Sequence, residues 1–243
     1  MKILAAFDSF KESMTAYAAG EAVQRAYNNV HICPLADGGE GTMEVMNCYL
    51  HGDIHEIEVA GPLFKTVHAK LAIVDDLAII ESAQACGLDY LTEEEKNGTE
   101  ATSYGVGEMM KYAYDHGVKR FLLTLGGSAC NDGGIGLLSG MGYGFFDQFD
   151  QRIPMNARGL ETLDHIKKTR LDLSGIEVEG ACDVTNPLCG KEGATYVFGP
   201  QKKVKDLEKT DQVMKHYAKI MSELVDKDDS CLLYTSDAAD DRI

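Results

Sequence analysis

Positive charge is scarce in this chain. Against 39 Asp and Glu stand only 23 Lys and Arg, so the formal net charge over 243 residues is −16. A general binder of nucleic acid or of an anionic membrane surface needs the reverse balance, because its affinity comes from cations set against phosphate. No apolar run approaches membrane-spanning length. The opening MKILAAFDSF passes from strand-like residues directly into Asp and Ser, without the apolar core of a secretory signal. The seven cysteines, Cys33, Cys48, Cys86, Cys130, Cys182, Cys189 and Cys231, include no C-x-x-C pair. An odd, scattered set reads as reduced and cytoplasmic.

Familiar nucleotide motifs are missing too. There is no G-x-x-x-x-G-K-[ST], which removes the P-loop reading, and neither H-R-D nor D-F-G of the protein kinases. The first strand is not followed by G-x-G-x-x-G. The near match Gly105-Val106-Gly107 opens a helix with no strand before it. The seven histidines show no paired metal spacing; His31 and His68 fall in strand segments and read as packed or surface residues. The ten methionines, with the Met109-Met110 pair, read as core filler.

What is present is an ordinary globular composition, 44% hydrophobic and 26% charged, in a length that holds one large or two modest domains. Strand-like and helix-like segments alternate, which predicts an α/β fold. Lys2–Phe7 reads as a buried strand. A helix follows from a Thr15 cap to Tyr27, with Ala18, Ala22, Val23 and Ala26 on one face. Val30–Leu35 is a second strand, then a glycine cluster and a short helix to Leu50. Three strand-like runs occupy 54–82, the last two joined at Asp75-Asp76 as a tight hairpin. Thr92–Thr102 is a loop or helix start. Helix 107–116, strand 119–125, helix 135–141, strands near 143–146 and 177–182, and helix 207–225 complete the pattern. A domain boundary is expected between 60 and 85 and is set at residue 75: 1–75 as one unit, 76–230 as the next, and 231–243 apart. CLLYTSDAADD (Cys231–Asp241) looks like the translation of a sequencing adapter, so the tail is expected to be a cloning scar on a longer natural protein.

Chemistry is concentrated in loops at predicted strand ends, the edge where open α/β sheets gather ligands. Asp37-Gly38-Gly39-Glu40-Gly41-Thr42 runs into a helix start that can aim amides at an anion. Leu125 leads into Gly126-Gly127-Ser128-Ala129-Cys130-Asn131-Asp132-Gly133-Gly134, which has the makings of a phosphate cradle beside a Mg²⁺-directed carboxylate. Asp183-Val184-Thr185-Asn186-Pro187 offers groups for a metal or a hydroxyl, and Phe198-Gly199-Pro200-Gln201-Lys202 sets a cation beside a turn. Any one of these taken alone is also what a plain turn or cap looks like, and Asp8-Ser9-Phe10-Lys11 could be only a helix entry with a solvated lysine. Recurrence of the device at several strand ends is what points to a site.

Read as strings, AAFDSFKES, PLADGGEGT, GPL, TSYGVGE, LGGSACNDGG, ACDVTNPL and FGPQK occur in this order and resemble the bacterial type of the glycerate kinase family, from Met1 to about Val225. Two departures are mild: Phe7 stands where proline is common and Cys130 where Thr is common. The resemblance implies a two-domain α/β enzyme. Its Rossmann-like first domain is split in sequence, with a second α/β domain inserted and the active site in the cleft between them. Family members continue past this point with a further glycine-rich loop and closing strands, so the C-terminal half of the split domain is missing here.

The implied reaction is ATP plus glycerate giving phosphoglycerate and ADP, with Mg²⁺. Phosphoryl transfer asks for positioning and charge neutralisation more than covalent chemistry. The amides of Gly126, Gly127, Ser128, Gly133 and Gly134 are expected to hold phosphate oxygens. Lys11 and Lys202 offset charge, and Asp183 orients or deprotonates the attacking hydroxyl. Asp37 and Asp132 contact Mg²⁺ or substrate, with Asp132 and Asp183 as the metal candidates and the roles of the three aspartates exchangeable. Asp8, Ser9, Gly38, Gly39, Gly41, Thr42, Asn131, Thr185, Asn186 and Gln201 complete the expected binding set. A kinase of the same fold for another small hydroxy acid, and an inactive or non-catalytic fragment, are the alternatives.

Overall fold

The computed structural model describes residues 1–10, 13–182 and 184–224. Strand β1 (Ile3–Ala5) pairs in parallel with β2 (Val30–Ile32) across helix α1 (Ala16–Ala26). Thr15 caps α1, its hydroxyl oxygen accepting from the Ala18 N–H, as the sequence predicts. Helix α2 (Thr42–Leu50) leads into a five-stranded mixed sheet in the order β3-β4-β5-β6-β9.

Strands β3 (Asp53–Ala60), β4 (Thr66–Val74) and β5 (Leu77–Glu81) form an antiparallel meander. Strands β6 (Arg120–Thr124) and β9 (Glu177–Ala181) continue it in parallel with β5. Asp75, with φ 54°, makes the β4–β5 hairpin turn foreseen at Asp75-Asp76. The expected boundary at residue 75 lies within this sheet. A division at 75/76 cuts the hairpin in which Val74 pairs with Leu77, and β3 and β4 hydrogen-bond into the same sheet as β5, not to β1–β2. If sheets define the units, the junction is at His51–Gly52, between α2 and β3.

One face of the sheet packs Leu71, Ile80 and Phe121 against α3 (Ala83–Cys86) and α4 (Tyr104–Asp115). The other face packs Ala72 and Ile79 against Met43 of α2. Each large side chain so buried contributes about 1.5–3 kcal/mol. The Gly105-Val106-Gly107 string is a packing device: a Cβ at Gly105 would lie 2.0 Å from the Ala60 carbonyl oxygen, and one at Gly107 2.1 Å from that of Leu137. α4 therefore sits hard against both the end of β3 and α5 (Ile135–Gly140). A second core gathers α5, β7 (Gly144–Phe146), β8 (His165–Lys167) and α7 (Leu207–Ser222) around Ile135, Phe145, Leu160 and Met214. Short α6 (Ala194–Phe198) precedes α7. No described helix is long and apolar enough to cross a membrane.

Candidate active site

Residues following the C-terminal ends of four strands line one cleft of about 810 Å³. After β1 come Asp8 and Ser9, after β5 Ser82 and Gln84, after β6 the stretch 125–134, and after β9 Cys182 and Val184; Asp37–Glu40, from the β2–α2 loop, close the near side. Contact between the loops is direct. A Cβ at Gly126 would stand 3.0 Å from the Cα of Gly39, and one at Gly38 3.3 Å from the carbonyl oxygen of Ala181. Glycine at both positions keeps these three strand-end loops in close contact, and Gly38 also holds a φ of 91° that other residues rarely adopt.

The 126–134 loop is held rigidly from behind. Leu88 N–H donates to Gly127 O (3.0 Å), Ala129 N–H to Cys86 O (2.7 Å) and Asn131 N–H to Gly98 O (2.9 Å). The Asn131 side chain donates to Thr195 Oγ1 at 3.0 Å. The N–H groups of Gly126, Gly127 and Ser128, three residues of the cleft lining, have no acceptor among the described residues. Successive amides left without an acceptor, with Gly127 at φ 73°, are the kind of backbone that can take up an anion.

Lys202 lies beside them, 9% exposed, with Nζ donating to Ser128 Oγ (3.0 Å) and the Cys130 carbonyl (2.6 Å). It has no carboxylate partner among the described residues. A desolvated ammonium held only by neutral oxygens is a costly arrangement that an incoming anion relieves. The Ser82 hydroxyl, buried at the cleft wall, has no hydrogen-bond partner among the described residues.

Asp132 turns out to serve the scaffold. It is 3% exposed, and its Oδ2 accepts from the Ser103 N–H (2.8 Å), the Ser103 hydroxyl (2.8 Å) and the Gly136 N–H (3.3 Å), while Oδ1 accepts from Gly134 N–H (3.0 Å). Four donors fill its lone pairs, so it joins the starts of α4 and α5 and leaves little for a metal. Asp8 and Asp37 are better placed for that task. Each spends one oxygen on a loop amide (Ser9, 2.6 Å; Gly39, 2.8 Å) and keeps the other. Mg²⁺ is commonly held through one or two carboxylates plus substrate phosphates, and each of these two residues lines the cleft with one carboxylate oxygen unspent. No group of three His, Cys, Asp or Glu with metal-binding geometry occurs among the described residues.

Of the residues expected from sequence, Asp8, Ser9, Asp37, Gly38, Gly39, Gly126, Gly127, Ser128, Asn131, Asp132, Gly133, Gly134, Gln201 and Lys202 line the cleft. Gly41 faces an adjoining hollow, and Thr42 is buried with its hydroxyl donating to Gly39 O at 2.8 Å, a helix-start role. Thr185 and Asn186 stand outside the lining; the Asn186 amide donates to Glu192 O at 2.7 Å and shapes its own turn. Lys11 and Asp183 fall outside the described residues, as do 225–243. Sequence reasoning passed over Glu81, which is 2% exposed and accepts from Met43 N–H at 2.7 Å, tying β5 to the first turn of α2. Burial first of all raises its carboxyl above the usual range. A lone Glu ending an apolar strand was the available signal.

A model of the glycerate kinase family matches residues 3–239. The chain belongs to the glycerate kinase family. Among its relatives is a glycerate kinase of Haemophilus influenzae, 40% identical over 232 residues, spanning 90% of this chain and 61% of the relative. A glycerate 2-kinase of Escherichia coli K12 is 35% identical over 240 residues, covering 94% and 63%. A crystal structure from Salmonella typhimurium LT2, named as a glycerate kinase 2, superposes with a TM-score of 0.80 at 39% identity, over 92% of this chain and 63% of that one. The chain therefore spans about three fifths of the length of the glycerate kinases it matches. Within the family pattern, Cys130 is a packed thiol: it donates to Cys86 Sγ at 3.9 Å, and this bond, then burial, pushes its ionisation well above the ordinary range.

Proposed function

We propose that the protein of which this chain is the matched part transfers the γ-phosphoryl group of ATP to a hydroxyl of glycerate. The observation that carries the reading is the pairing of three free amides, Gly126 to Ser128, with the carboxylate-free ammonium of Lys202 at one end of the cleft. In this reading the amides hold phosphoryl oxygens and Lys202 offsets the charge that gathers there as the bond to the leaving phosphate breaks. The new bond joins the glycerate oxygen to the γ-phosphorus, the bond from that phosphorus to the bridging oxygen of ADP breaks, and the hydroxyl proton passes to a carboxylate. Asp183, bracketed in sequence by the cleft-lining Cys182 and Val184, is assigned to receive it, and Lys11 to neutralise the substrate's charge. Mg²⁺ would supply charge neutralisation across the phosphates, with Asp8 and Asp37 as the residues that hold it.

Strands β1 and β2 with α1 and α2 are then part of a Rossmann-like domain. The enzyme is assigned to the cytoplasm, where its thiols stay reduced. The test is ADP release by the purified protein with glycerate, lactate and tartrate. Release with glycerate at least about tenfold above the others supports the assignment. Preference for another acid transfers it to a different hydroxy-acid kinase, and nucleotide binding without any turnover favours the inactive-fragment reading.

A further inference from the structure

Beyond the end of α5, lined by Met141 and Gly142, is another cavity of about 460 Å³. Five of the chain's 23 lysines and arginines line it (Lys111, Arg152, Lys167, Lys168 and Arg170), and no carboxylate does. In a molecule of net charge −16 that concentration runs against the whole surface. Two of the five are neutralised: Lys111 by Asp115 at 2.6 Å and Lys167 by Asp150 at 2.5 Å. Arg152, Lys168 and Arg170 have no carboxylate partner among the described residues.

Local structure explains the convergence. In the β7–β8 register Gly144 faces Lys167 and Phe146 faces His165, and an isolated bridge sets Arg152 opposite Phe146. Alternation then sends Phe145 and Ile166 into the core and turns Phe146, Lys167 and Arg152 to the other face. The Phe146 ring supports both cations, with Lys167 Nζ 4.1 Å and Arg152 Cζ 5.6 Å from its centroid. A Cβ at Gly144 would come within 2.5 Å of that ring, so the glycine makes room for it. Lys168 and Arg170 flank Thr169, whose hydroxyl donates to Met141 O at 2.8 Å and pins the segment to the end of α5.

We infer that this cavity is a binding site for a small multivalent oxyanion, one bearing two or more phosphate groups. It shares no lining residue with the cleft, which reaches Leu137 of α5, while this cavity begins at Met141 just past the helix end. Exposed cations bind singly charged ions weakly, so several phosphates on one molecule are needed to engage Arg152, Lys168 and Arg170 together.

The experiment is a titration of the chain with tripolyphosphate at low salt, followed by backbone amide shifts and calorimetry, beside sodium chloride at matched ionic strength. Shifts should cluster at 141–144 and 167–171 with tripolyphosphate alone. The Arg152→Ser/Lys168→Ser/Arg170→Ser variant, with thermal unfolding unchanged, should lose that binding event by about tenfold or more while cleft residues still respond. Three results would overturn the site: silent amides at 141–144 and 167–171, equal shifts with chloride, or undiminished binding by the variant. Should the triple variant unfold, Arg170→Ser alone is read in the same way.

Discussion

Replacing Asp132 by Asn separates a scaffold role from a metal-binding one. The carboxylate accepts four hydrogen bonds, three at Oδ2 and one at Oδ1, while 3% exposed. An amide can keep only one side. With its oxygen toward Ser103 and Gly136, the new NH₂ meets the Gly134 N–H, donor against donor. The opposite orientation strands the Ser103 amide and hydroxyl together with Gly136. Even in the better orientation one bond is lost and the ionic strengthening of three others disappears, which costs about 2–4 kcal/mol. For a chain of this size that is a fall in Tm of about 5–15 °C. The assay is thermal unfolding of both proteins with and without millimolar Mg²⁺. The scaffold role predicts the full loss in the metal-free protein and the same Mg²⁺ response in both. A metal-free Tm within 2 °C of the parent, with Mg²⁺ stabilisation abolished by the substitution, would refute it and return Asp132 to the metal.

Three further outcomes are expected. Lys202→Met removes a charge-assisted contact and should weaken ATP binding roughly 10- to 100-fold, measured by calorimetry, with Lys202→Arg recovering part of it; unchanged affinity in Lys202→Met would take the lysine out of the phosphate site. Asp183→Asn should lower kcat by two or more orders of magnitude with melting unaltered, and near-normal ADP release would remove it from the reaction. Glu81 has its carboxyl raised by burial in the folded protein, so its contribution is fully present at low pH and is lost as pH rises above the ordinary value of 4.5 through the raised one. Glu81→Gln, which can still accept from Met43, should therefore gain stability relative to the parent across that rise; a difference independent of pH between 4 and 8 would contradict this.

Element by element, what could be read from the chain is what local chemistry decides. Thr15 at a helix start, the Asp75-Asp76 turn and the apolar run of β6 each appear near their expected positions, whereas α1 buries Ala16, Ala19 and Gly20 and leaves Ala22 and Ala26 of the expected face exposed. Three-residue β8 and five-residue α6 were missed, because neither is long enough to show a period. The boundary expected at residue 75 lies inside the β4–β5 hairpin for a different reason. Whether β4 joins β5 or closes with β1–β2 depends on strand order, which no window along the sequence contains.

The same limit divides the candidate site. Asp132 sits in a string, Asn-Asp-Gly-Gly, whose residue types suit a ligand cradle equally well whether the carboxylate faces the ligand or the scaffold. The deciding partner is Ser103, 29 positions upstream at the start of α4, brought beside the loop only because α3 and α4 form the crossover between β5 and β6. Gly126 and Gly38 behave in the opposite way. Their lack of a side chain is legible at once, and the structure adds only what they approach. Residues whose role is to leave space are therefore recognised earlier than residues whose role is to hold a partner, and for the latter the fold must come first.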